Sequence, residues 1–275
     1  MKLKWNKKYT QWIEGRTLFV SIPFTWELPR AKDFVRQLSF LWDQVVVGGP
    51  AVMLMPDFFS DIDYVSVGYR YEGVLQKVNP LATRTTIGCP NRCGFCAVPK
   101  IYGHLVELDD YPDLPVLCDD NLLAASVEHF DKVIDKLIVH GWANFNQGLD
   151  SRRLTDYHAM RIAEINNPLV YLALDSMSYS DDWLCAYDRL RSAGLNKANI
   201  RSYALIAFDS DPAECFERCE FIESHNIKVM PMWFHKLNAL ELNVVTPHQI
   251  KLGWTEEKRL KIMGYYYQHR GAVAV

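Results

Sequence analysis

The sequence predicts an α/β protein: a run of six strand–helix units, two strands short of a closed eight-stranded barrel, preceded by a small α/β segment. Two observations carry this. Short apolar, β-branched or aromatic runs begin near Arg84, Pro115, Ala143, Leu169, Arg201 and Lys228, 26 to 32 residues apart, with helix-like patterns between them. That spacing is close to one strand plus one helix, and such alternation builds a parallel sheet with helices packed outside it. Composition agrees: of 275 residues 49% are hydrophobic and 23% charged, which excludes a disordered or collagen-like chain and provides for a sizeable core.

Taken in order, residues 1–80 form a small β-α-β segment. A strand-like "TLFVSI" runs from Thr17 to Ile22, a helical stretch from about Ala31 to Trp42, and "DQVVVGGPAVMLMP" supplies a second strand ending in a Gly-Gly-Pro turn. Residues 81–238 carry the six units. Within them, Phe130, Val133, Ile134, Leu137 and Ile138 fall on one face of a helix that Gly141 ends. Ala193-Gly194 closes the helix before the fifth strand, and Asp211-Pro212 reads as an N-cap followed by proline at the first helical position. Residues 239–275 read as a C-terminal helical extension.

Ligands of parallel αβ sheets lie at the carboxyl ends of the strands, so those ends are the places to look for a site. The second run ends in Asp119, Asp120 and Asn121, and the third in Asn146, Gln147, Asp150, Arg152 and Arg153. Function is favoured for Gln147 and Asp150; capping of the next helix explains Arg152 and Arg153 equally well. The fourth run presents Asp175 and Ser176, and the sixth Trp233, His235 and Lys236, where a histidine beside aromatics is more often structural.

The chain has seven cysteines. Its start, MKLKWNKKYTQW, has no apolar core of a secretory signal, and the most apolar stretch, Val45 to Met55, is broken by Gly48, Gly49 and Pro50. A cytoplasmic protein without a membrane span is expected. An odd cysteine count in that setting argues against a disulfide framework and for metal or redox chemistry. Cys89, Cys93 and Cys96 give C-x3-C-x2-C on a loop after the first strand run. Three thiolates so close together suit one soft metal centre, and no second pair of ligands follows downstream. A four-iron cluster held by three cysteines keeps one iron open for a substrate or cofactor. Cys118 within the second strand, and Cys215 with Cys219 on one helix face, read as core residues.

The string "GCPNRCGFCAVPKIYG", with Phe95 as the aromatic in C-x3-C-x-aromatic-C, resembles the radical S-adenosylmethionine (SAM) enzymes. It is most similar to the branch holding the methylthiotransferases and the cobalamin-associated radical enzymes. The resemblance implies a partial (βα)6 radical SAM barrel and a 4Fe–4S cluster on Cys89, Cys93 and Cys96. It further implies SAM chelated to the open iron and cleaved by one electron into methionine and a 5′-deoxyadenosyl radical, which takes hydrogen from the substrate. Phe95 would contact the adenine region, Asp119, Asp120 and Asn121 the methionine amino group, and Gln147, Asp150 and Asp175 the ribose or substrate. The match to the family's usual "GGE" form is by position only, so which of the three faces SAM stays open. The electron would come from a flavodoxin or ferredoxin.

Residues 1–80 resemble a shortened cobalamin-binding domain, but no Asp-x-His-x-x-Gly motif is present, so cobalamin is not expected. The methylthiotransferases themselves add cluster cysteines before the barrel, and no cysteine precedes Cys89. Residues 1–16 carry +4 and residues 251–270 carry +3, leaving −10 for the middle of a chain of net charge −3. Basic ends interleaved with Trp5, Tyr9, Trp12 and Tyr265 to Tyr267 suit phosphate contact and base stacking, although a solvated surface is the commoner explanation. Rearrangement or modification of a hypermodified nucleobase is the leading expectation for the reaction. Two rivals are a cobalamin-dependent radical methyltransferase and a non-catalytic, metal-binding nucleic-acid adaptor.

Overall fold

The structure is a computed structural model that describes residues 5, 8–68 and 73–268. The chain falls into two compact units: residues 1–82 with 92–103 and 236–242, and residues 83–91 with 104–235 and 243–275. Parts of the basic ends, residues 1–4, 6–7 and 269–275, lie outside the described residues.

The smaller unit is a four-stranded sheet in the order β1 (Thr10–Glu14), β2 (Thr17–Ser21), β3 (Gln44–Gly48), β4 (Val65–Gly68). β1 and β2 form an antiparallel hairpin, whereas β2–β3 and β3–β4 are parallel. Between β2 and β3 lies α1 (Leu28–Leu38), so the expected β-α-β unit is present, with an extra strand on each side. Leu18, Val20, Val45 and Val47 alternate into a core with Leu28, Ala31 and Val35 of α1 and Val52 of α2 (Pro50–Leu54). Gly49 makes the turn between β3 and α2 at φ 94°, where an added Cβ would meet the Ile22 backbone nitrogen and oxygen within 2.8 Å. The unit also contains α3 (Val74–Val78) and α4 (Val98–Ile101). Two of the aromatics expected to offer stacking surfaces have partners here: Tyr9 packs on Phe34 and Trp12 stacks on Phe19.

In the larger unit, the strands β5 (Ala82–Thr83), β8 (Val116–Leu117), β9 (Trp142–Phe145), β10 (Asn167–Leu174), β11 (Ile200–Ile206) and β12 (Lys228–Trp233) lie side by side in chain order. The pairs β8–β9, β9–β10, β10–β11 and β11–β12 are parallel. The sheet is therefore α/β in class and begins each strand within a few residues of the predicted run. Between β5 and β8 the chain makes a two-stranded antiparallel pair, β6 (Thr86–Ile87) with β7 (Val106–Glu107). Long helices join the later strands: α5 (Val127–His140), α6 (Asp156–Ala163), α7 (Ser180–Ser192) and α8 (Pro212–Ser224). After β12 follow α9 (Pro247–Lys251) and α10 (Glu256–Gln268).

Alternation decides the two faces of this sheet. Phe145, Val170, Leu172, Leu174, Ile200, Ala204, Ile206 and Val229 are buried in one core with Phe130, Ile134, Ile162, Trp183, Leu190, Cys215, Cys219 and Ile222 from the helices. Cys215 and Cys219 thus pack as apolar residues. On the opposite face, strand register puts Tyr171 beside Arg201 and Lys228, and Ala173 beside Tyr203 and Met230. Tyr171 and Tyr203 stack with ring centroids 4.9 Å apart. No helix among the described residues is long and apolar enough to cross a membrane.

Candidate functional site

The richest polar network of the larger unit lies at the carboxyl ends of β5, β8 and β9. Cys118 donates its backbone N–H to Thr83 O at 2.8 Å, which sets the end of β8 beside β5. The three residues that follow Cys118 then face the segment leading to Cys89. Asp119 is buried, and its Oδ1 accepts the backbone N–H groups of Thr85 and Thr86, at 2.6 and 2.5 Å, and both their hydroxyls at 3.0 Å. Asp120 Oδ2 accepts the Gly88 N–H at 2.8 Å, while Arg84 donates to Cys118 O at 3.0 Å and lies 3.8 Å from Asp120 Oδ1. Gly88, at φ 82°, passes so close to His104 that a Cβ would stand 1.9 Å from its carbonyl oxygen. These contacts fix the backbone immediately before Cys89.

Cys89 Sγ accepts two N–H groups, each at 3.4 Å, from the Asn91 backbone and from Asn121 Nδ2. The same Asn121 nitrogen is 3.2 Å from Asp150 Oδ2, which also accepts Asn91 Nδ2 at 2.7 Å. Arg152 clamps the Asp150 carboxylate with two bonds, Nε to Oδ1 at 2.8 Å and Nη2 to Oδ2 at 3.1 Å; Arg153 is 3.7 Å away. Arg152 also lies over the Tyr179 ring, 5.2 Å from its centroid. Among the described residues, two buried oxygens in this network have no hydrogen-bond partner: Asn121 Oδ1 and Asp119 Oδ2. Buried polar atoms left unmet are costly.

Electrostatics separate the carboxyl groups. Burial pushes Asp119 up, and it pushes Asp120 up against the pull of Arg84. Asp175, half-buried at the end of β10, is also raised by burial, with Arg218 and Arg152 opposing and Asp150 adding to the shift. Asp150 is the exception: burial acts upward, but Arg152, Asn91 and Asn121 outweigh it and hold the carboxyl below its ordinary value. Burial drives the Cys118 thiol up to about 12, in keeping with a packed residue.

The remaining expected residues are placed as follows. Gln147 is exposed on the turn after β9 and, among the described residues, makes no bond to the Asp150 network. His235 is tied to the Asn243 N–H through Nε2 at 3.0 Å, a structural role. Cys93 and Cys96 belong to the smaller unit's part of the loop, where Cys96 N–H donates to Cys93 O at 3.0 Å and both side chains, like that of Phe95, are half-buried. None of the seven cysteines forms a disulfide. Among the described residues, no three His, Cys, Asp or Glu side chains are gathered into a group that could hold a metal ion. None of the loop's three cysteines is bridged, and the Cys89 sulfur already receives two N–H bonds of the kind a soft thiolate ligand attracts.

Asn91, Arg84 and Gly88 were not singled out by the sequence. Asn91 sits two residues after Cys89, a spacing at which a backbone N–H reaches a side-chain acceptor, and that was the available signal. Compared with protein-family models and with curated proteins, the chain matches none.

Proposed function

We propose that the chain is a radical SAM enzyme in which Cys89, Cys93 and Cys96 hold a 4Fe–4S cluster with one iron open to SAM. The observation that carries this reading is the C-x3-C-x-Phe-C loop that follows β5 and β6, with the Cys89 sulfur accepting an N–H from Asn121, whose buried Oδ1 has no partner among the described residues. When bound, the cluster and SAM supply one-electron cleavage to a 5′-deoxyadenosyl radical that takes hydrogen from the substrate. The protein's own part is positioning. Asp119 and Asp120 hold the backbone entering the loop, and the Asn121 carbonyl faces the SAM ammonium, for which a buried acceptor is suited. Phe95 contacts the adenine, and Gln147 and Asp175 the ribose or substrate.

The sheet is proposed to curve into a partial (βα)6 barrel. Strands in unbroken chain order, with one face packed on the helices, support that shape over a doubly wound sheet, whose strand order reverses at a switch point. The Tyr171–Tyr203 stack with Arg201 on the other face suits a planar substrate such as a nucleobase.

The decisive test is anaerobic reconstitution with iron and sulfide, followed by SAM and dithionite, with mass spectrometry for 5′-deoxyadenosine. Product that forms in the wild type and is lost in Cys96→Ala supports the reading. Bound zinc with no SAM turnover favours the metal-binding adaptor, and S-adenosylhomocysteine formed only with added cobalamin favours methyl transfer.

A further inference from the structure

We propose that Asn121 is a positioning residue that sets the reduction potential of a cluster bound through Cys89, by directing one amide N–H at the Cys89 sulfur while Asp150 fixes the amide's orientation. This rests on the cluster reading above. A primary amide nitrogen has two hydrogens, and here Nδ2 has two acceptors within reach, Asp150 Oδ2 at 3.2 Å and Cys89 Sγ at 3.4 Å. Reversing the amide would turn its carbonyl toward a carboxylate and a sulfur, both electron-rich. Charge therefore decides which end faces Cys89. Arg152 keeps Asp150 an acceptor by a two-bond clamp, and Asn91 Nδ2 adds a third donor at 2.7 Å. Asn121 is 5% exposed, so its N–H reaches the sulfur out of contact with bulk solvent.

The direction of the effect follows from charge. A donor aimed at a cluster sulfur stabilises the reduced, more negative state more than the oxidised one, so the potential rises. The Asn91 backbone N–H makes the second bond to Cys89 and survives any change to the Asn91 side chain. This separates two variants that both disturb the Asp150 network: Asn121→Ala loses an N–H to sulfur, whereas Asn91→Ala does not.

The experiment uses the full chain reconstituted with iron and sulfide and titrated with dithionite under electron paramagnetic resonance. Asn121→Ala is expected to titrate at a more negative potential by about a tenfold change in the one-electron equilibrium, about 59 mV. Asn91→Ala is expected at the wild-type value. Wild-type protein labelled with 15N in its asparagine side chains is expected to show a 15N hyperfine coupling to the reduced cluster. An Asn121→Ala cluster at the wild-type potential overturns the proposal, and so does a missing 15N coupling in the wild type, even where the variant fails to retain its cluster. Both outcomes leave the radical SAM reading standing. A wild-type chain that assembles no 4Fe–4S cluster overturns both.

Discussion

Asp119 shows how a single carboxyl group can serve the loop before Cys89 and still resist ionisation. One oxygen meets four donors from Thr85 and Thr86, while the other is buried without a partner, and burial is the largest influence on its titration. Its pKa is raised in the folded state, so folded protein keeps the proton while unfolded chain loses it above the ordinary aspartate value of about 3.9. That contribution is absent at lower pH and opposes folding increasingly as pH rises toward the folded-state pKa. Asp119→Asn removes the titration but keeps an acceptor for the threonines. Urea midpoints measured from pH 4 to pH 8 should therefore shift in the variant's favour relative to wild type, and a difference that stays flat would show that Asp119 ionises as readily folded as unfolded. The positions of Asp119, Asp120, Asn121 and Asp150 at strand ends were legible in the sequence, because apolar runs stop visibly where they begin. Their partners were not. Nothing in "CPNRC" announces that Asn91 reaches Asp150, 59 residues away, since such a contact depends on how β8 and β9 align.

At the scale of elements, local chemistry made α5 the most readable helix. Its apolar face matches the buried Phe130, Val133, Ile134 and Leu137, and Gly141 ends it in the left-handed conformation at φ 73°. Its start is tied to the preceding strand pair. Ser126 Oγ accepts the His129 N–H at 3.1 Å, while Glu107 of β7 accepts the Ser126 N–H and hydroxyl at 2.5 and 3.0 Å. Ser126→Ala removes the cap and one of the Glu107 bonds, and should lower stability by about 1–2 kcal/mol in urea unfolding. A loss below about 0.3 kcal/mol would mean that water caps this end as well as serine does. Other elements were silent in the sequence for physical reasons. β1 has exposed or half-buried residues throughout, so it shows no apolar alternation, and β6 and β7 are two residues each, too short for any period to register.

For the molecule as a whole, residues 239–275 read from the sequence as a C-terminal helical extension, and the described helices α9 and α10 lie in the same compact unit as the large sheet. The reason is a set of buried bonds that composition cannot reveal. Gln249 of α9 is 1% exposed and donates from Nε2 to both Ala207 O at 3.0 Å and Phe234 O at 3.1 Å, bridging the residues just past the ends of β11 and β12. Its Oε1 accepts the Thr246 N–H at 2.9 Å, so the side chain is fully engaged. The Thr255 turn leads into α10, and Trp254 Nε1 donates to Ser210 O at 2.9 Å, a second tie to the loop after β11. Ala207 adopts φ 62°, a conformation costly for a residue with a Cβ, which persists where its surroundings over-determine it. Gln249→Ala takes a donor from the Ala207 and Phe234 carbonyls, and removing each such partner costs about 1–3 kcal/mol. The variant should lose about 2–4 kcal/mol in urea unfolding, and hydrogen exchange should rise first in β11, β12 and α9 together. Exchange that rises in α9 alone would show that the last two strands hold their ends without it. Those strands carry Arg201, Tyr203 and Met230 on the face opposite the helices, so the same bridge governs how firmly that face is held.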